Sequence, residues 1–196
     1  MIRLSARSRR VARALGAFGS LVALGGVTLA TVLSPTFSWP ASALSDLGVR
    51  PPTALLFNAS LAIGGAVALG YALALRRHSG VVAACYAVAV ASMGLVGVFP
   101  AGTALHFPVA ASFFVSLTAT MVADGLARRG TRTGKLALAL SAAHVVSWAL
   151  WLRGVRFGPG LAVPEYVGAV AFAAWVVALS PPAPLSPANA DAPSQV

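Results

Sequence analysis

Residues 53–77, TALLFNASLAIGGAVALGYALALRR, run from Thr53 to Leu75 without one charged side chain and then stop at two arginines. At ~1.5 Å rise per residue, such a run crosses a hydrocarbon core ~30 Å thick as a single helix. The basic end then marks the cytoplasmic side of that helix. The rest of the chain has the same character. Its 196 residues are 58% hydrophobic and only 9% charged, with a mean hydropathy of +0.84, far from the mix of a soluble globular domain.

Working outward from this stretch, six apolar runs are long enough, or nearly so, to span a bilayer: 12–33, 53–75, 81–99, 105–127, 135–152 and 165–180. The expected fold is all-α, a polytopic bundle of six transmembrane helices in one domain. Between the runs the charges sort by side. Arg3, Arg7, Arg9, Arg10 and Arg13 precede the first, Arg76 and Arg77 follow the second, and Arg128, Arg129, Arg132 and Lys135 surround the fourth connection. Only Arg50, Arg153 and Arg156 of the fourteen basic residues fall on the other side. The positive-inside rule then predicts that both termini are cytoplasmic, in the plasma (inner) membrane. The net charge of +10 is thus a topology signal, and a nucleic-acid partner is not expected.

Residues 1–11 read as a basic cytoplasmic N-terminus, and 181–196, PPAPLSPANADAPSQV after Ser180, as a disordered Pro/Ala-rich cytoplasmic tail. The basic start and the Ala41-Ser42-Ala43 triplet imitate a secretory signal and its cleavage site. The first apolar run exceeds the ~7–15 residues of a signal core, so a retained helix is expected. Cys85 is the single cysteine, so no internal disulfide can form. Small residues four apart (Gly16 and Ser20, Ser60 and Gly64, Ala66 and Gly70, Ala169 and Ala173) predict close helix packing of a general kind.

Two links on the outer side are long, 34–52 and 153–164, and polar groups collect there. Ser45, Asp46 and Arg50 precede helix two, and Asn58 lies about 8 Å into it by helical rise. His106 opens helix four and Glu165 opens helix six. His144 lies deeper, on a helical stripe with Ser141, Trp148 and Trp151. Ionisable groups within a membrane are costly and are functional candidates for that reason. Each also has a plain structural role open to it. Ser45 or Asp46 can cap backbone donors, Pro51 and Pro52 can start helix two, and Glu165 can favour the positive end of helix six. His144 can be a hydrogen-bonded core histidine, and the Trp stripe an interfacial belt. Asp124 and Arg128, one turn apart, read as a local ion pair, and His78 as a solvated side chain in a basic turn.

Three functions follow from this pattern. The first is a non-enzymatic membrane protein in which Ser45, Asp46, Arg50, Asn58, His106 and Glu165 form an outward-facing polar cluster for a membrane lipid or another membrane protein, with no cofactor. The second is a metal-dependent lipid hydrolase with Asp46, His106 and His144 as zinc ligands and Glu165 as candidate base. No HExxH, HxxxH or CxxC pair supports that set, and the reading leans away from an enzyme. A small transporter ranks last, since only His144 and scattered Ser and Thr line a path through the bilayer.

The segments ALSDLGVRPPTALLFNASLAIGG (43–65) and GVFPAGTALHFPVAASFF (97–114) resemble the six-helix prokaryotic family known as domain of unknown function 998. They are also similar to the eukaryotic damage-regulated autophagy modulator family. The specific part is Ser45, Asp46, Gly48, Pro52, Phe57, Asn58 and His106, within a resemblance that spans residues 12–180. It implies a six-helix bundle with both termini inside and leans toward lipid or partner interaction. In the family pattern an acidic residue at the start of the last helix is followed by Arg. Here Glu165 is followed by Tyr166, so a charge pair would need Arg153 or Arg156 instead.

Overall fold

A computed structural model of the chain describes residues 6–181. The expected N-terminal residues 1–5 and most of the expected tail lie outside the described residues. Six helices are long and apolar enough to cross a membrane, and no strand occurs among the described residues. They are α1 (Ala6–Leu33), α2 (Ala54–Leu75), α3 (Gly80–Val98), α4 (His106–Ala127), α5 (Arg132–Leu152) and α6 (Ala162–Ala174), the last continued by a π-helical turn, Trp175–Leu179. In lipid a backbone must satisfy its own polar groups, which is why each apolar run is helical. α1 begins earlier than position 12, so part of the basic N-terminal segment is itself helical. α2 begins at Ala54, directly after the turn that holds Pro51 and Pro52. Ser79 and Thr131 start α3 and α5: their hydroxyl oxygens accept from Val82 N–H at 3.3 Å and Gly134 N–H at 3.0 Å.

Helices α1 to α5 pack in sequence order, and α6 lies against α1, α4 and α5. α6 is the most enclosed of the six and α5 the least. The hydrophobic effect does not draw helices together in lipid, so close backbone approach must contribute. At the α1–α2 crossing a Cβ on Gly64 would stand 2.7 Å from Gly19 O, and at α2–α3 one on Gly65 would stand 2.5 Å from Val90 O. Only glycine fits at either place. An aromatic core also joins the helices: Tyr71 of α2 meets Tyr86 of α3 edge-on at 5.4 Å, and Tyr86 lies 5.7 Å from Phe172 of α6.

The two ends of the bundle differ. One, the loop end, carries the long links 34–53 and 153–161; the other, the arginine end, carries the short basic links. At the arginine end Asp124 is fully buried and holds far more than its neighbour one turn on. Its carboxylate pairs with Arg128, accepts Trp175 Nε1–H at 2.8 Å, and lies 3.5 Å from His78 Nε2. Arg128 also donates to Thr133 Oγ1 and to Leu179 O, both at 2.8 Å. The local ion pair expected from spacing is therefore the hub of a network joining α4, α5, α6 and the α2–α3 link. His78, expected to be solvated, is exposed but also faces this hub. Tyr71 and Ser180 hydroxyls bond beside it, across the π-helical turn.

Candidate functional site: a cleft between α4 and α5

The first long link folds onto the bundle through its own polar groups. Leu44–Gly48 forms a 3-10 turn, and Asp46 Oδ2 reaches back to accept Ala43 N–H at 2.8 Å. Thr53 Oγ1 donates to Leu47 O at 2.9 Å, and Asn58 Nδ2 to Gly48 O at 2.8 Å. Gly48 is needed there, because a Cβ would stand 2.5 Å from Asn58 Oδ1. That oxygen is buried and has no hydrogen-bond partner. The second long link pairs with the first: Gly160 N–H donates to Pro40 O at 2.9 Å and Ala162 N–H to Ser42 O at 3.0 Å. Trp151 Nε1–H donates to Gly160 O at 2.8 Å, and Arg156 lies over the Trp151 ring at 5.0 Å. Glu165, buried at the start of α6, accepts Leu44 N–H on Oε2 at 2.7 Å. Its partner is thus a backbone amide, and neither Arg153 nor Arg156 supplies the charge pair expected by family pattern; both are exposed.

Two cavities meet under this cover. The smaller, about 70 Å³, is enclosed by Leu44, Phe57, Met93 and Phe113 among others. The larger is a cleft of about 660 Å³ between α4 and α5, walled by Phe107, Phe114, Val115, Val145, Trp148 and Leu152. Phe107, Val115 and Leu152 are at least two-thirds exposed, so the cleft opens on the flank of the bundle. Ser45, His106 and Glu165 line both cavities. They form the polar point where the two spaces join.

The hydrogen bonds assign the imidazole protons. His106 Nδ1 lies 2.8 Å from Phe99 O, and a carbonyl can only accept, so Nδ1 carries a proton and, in the neutral ring, Nε2 is the acceptor. His144 is engaged at both nitrogens. Trp148 Nε1–H donates to Nε2 at 2.9 Å, so Nδ1–H donates to Thr118 Oγ1 at 2.9 Å, and Thr118 in turn donates to Phe114 O at 2.8 Å. The ring fits because Gly168 of α6 faces it; a Cβ there would stand 2.6 Å from Nε2.

The polar residues singled out in the sequence are thus divided among three places. Ser45, His106 and Glu165 come together. Asp46 and Arg50 line a separate polar recess of about 320 Å³ on the exposed side of the first link. Asn58 lies beneath the 3-10 turn and lines none of these spaces. Asp46, His106 and His144 are not gathered: among the described residues no three His, Cys, Asp or Glu side chains form a group able to hold a metal ion. Trp148, read as part of an interfacial belt, is a cleft wall and a ligand of His144. The four-residue spacing of His144 and Trp148 signalled that contact. Thr118 gave no signal, because only the packing of α4 on α5 brings it to His144.

A family model described as "Protein of unknown function (DUF998)" matches residues 17–180. No curated protein and no solved structure matches the chain.

Proposed function

The chain belongs to the DUF998 family, and from that premise we propose that it is a non-enzymatic integral membrane protein that binds a lipid in the α4–α5 cleft. The observation that carries this reading is the cleft itself: about 660 Å³, almost wholly apolar, open along the flank, and closed at the loop end by Ser45, His106 and Glu165. From His106 to Thr118 it follows α4 for about 18 Å by helical rise, roughly three-fifths of a ~30 Å hydrocarbon core. A chain entering from one leaflet would lie along it, with its head group at the polar end. Binding is favoured over hydrolysis because His144, the deepest imidazole, has both nitrogens occupied by Trp148 and Thr118.

In the same reading the loop end faces outward and both termini are cytoplasmic, in the plasma membrane. Arg76, Arg77, Arg129 and Arg132 at the arginine end support this orientation. Kinship with the damage-regulated autophagy modulator family is part of the proposal too, and leans on Ser45, Asp46, Gly48, Pro52, Phe57, Asn58 and His106.

Ala149 lines the cleft and is exposed, so a larger side chain there fills the space without entering the core. Native mass spectrometry of the protein in mild detergent is expected to show retained lipid on the wild type and a several-fold lower occupancy on Ala149→Trp. Wild type without lipid, or equal occupancy on both, would contradict the proposal.

A further inference from the structure

Resting on that reading, we infer that the lipid of the cleft carries a hydrogen-bond-donating head, a hydroxyl or an ammonium group, and not a phosphate or carboxylate. The polar end is built of acceptors. His106 directs Nδ1–H to Phe99 O, and in the neutral ring that leaves Nε2 as an acceptor. Glu165 accepts Leu44 N–H on Oε2 at 2.7 Å, so that oxygen is an acceptor, and its carboxyl has acceptor capacity left for a further donor. Ser45 Oγ can do either.

Charge points the same way. Neither cavity is lined by a Lys or Arg side chain. Of the basic residues at the loop end, Arg50 lines the separate recess and Arg156 lies over Trp151. An anionic head would therefore sit beside the Glu165 carboxyl with no cation in the cleft wall to balance its charge. The cost of an unbalanced charge is large where water is excluded. A hydroxyl or ammonium head instead donates to Glu165 and His106 together, and an ammonium makes those bonds charge-assisted, the stronger kind.

The test is a titration of the purified full chain in mild detergent, followed by native mass spectrometry, with four probes that share one oleoyl or oleyl chain: monooleoylglycerol, oleylamine, oleic acid and oleoyl lysophosphatidic acid. Ala149→Trp defines binding outside the cleft. Monooleoylglycerol, oleylamine or both are expected to bind about tenfold tighter than the two acids, as one charged hydrogen bond would provide. Glu165→Gln, which keeps an acceptor for Leu44 N–H, is expected to shrink that preference; a loss confined to oleylamine identifies ammonium as the preferred head, and a loss shared by both identifies hydroxyl as sufficient. Acids binding as tightly as the donor heads, in the wild type and blocked by Ala149→Trp, would overturn the inference while leaving the lipid-binding reading intact. No probe binding, or all binding Ala149→Trp equally, would overturn both.

Discussion

Among the described residues Asp124 and Glu165 are the buried carboxyl side chains, and each fastens one end of the bundle. Glu165 docks the first link on α6 through Leu44 N–H. Asp124 gathers Arg128, Trp175 and His78 at the other end. Removing one partner of a buried ion pair leaves the other charged and unpaired, which typically costs about 3–5 kcal/mol. Asp124→Ala is therefore expected to lower stability by about that amount, measured as reversible unfolding in detergent, because Arg128 loses its carboxylate partner while its bonds to Thr133 Oγ1 and Leu179 O, both neutral acceptors, do not balance its charge. A loss below about 1 kcal/mol, the level of an exposed pair, would mean the network is not buried in the membrane-embedded protein. At this scale the Asp124–Arg128 pair was legible, since four-residue spacing on a helix brings side chains together. Trp175 and His78 were not, because they come from other helices and links. The docking of Glu165 onto Leu44 was hidden for the same reason, whereas Asp46 as a turn cap was readable from its local sequence.

Helix packing in this protein turns on positions that admit no side chain. Gly19 and Gly64 bring α1 and α2 together, and Gly65 and Gly94 do so for α2 and α3. Overpacking a tight core costs about 1–3 kcal/mol, and here the obstruction is backbone rather than a side chain that can turn away. Gly64→Val is expected to reach the upper part of that range or to prevent assembly, read as lost monodisperse protein on size exclusion and a lower unfolding midpoint. Gly25→Val, on the same pair of helices but with open space around it, is expected to be neutral. Equal behaviour of the two would contradict the crossing. Four-residue spacing of small residues identified Ser60 and Gly64 as packing positions, but not which helix each would meet. The separation of α4 from α5 had no signature, since the facing residues are apolar as they would be in a closed interface.

For the whole molecule, hydropathy and length carried the architecture, because a bilayer leaves an apolar run of ~20 residues little choice but a spanning helix. Lateral arrangement is a different matter. It depends on where side chains interlock, so the cleft and its polar end emerged only from the structure. Orientation rests on the charge difference between the ends, and single cysteines in a Cys85→Ala background test it. A membrane-impermeant thiol reagent on intact cells is expected to label Ala41→Cys at the loop end and to spare Arg129→Cys at the arginine end. The opposite pattern would invert the proposed topology.

The central claim is that a lipid chain lies between α4 and α5 with its head near Ser45, His106 and Glu165. Its most direct test is photo-crosslinking in native membranes with an oleoyl lipid bearing a diazirine in the chain, followed by peptide mapping. The account predicts adducts concentrated between Phe107 and Thr118 on α4 and between Val145 and Leu152 on α5, and reduced by Ala149→Trp. Adducts spread evenly over the exposed faces of α1, α2 and α3, with no excess at the cleft, would contradict it.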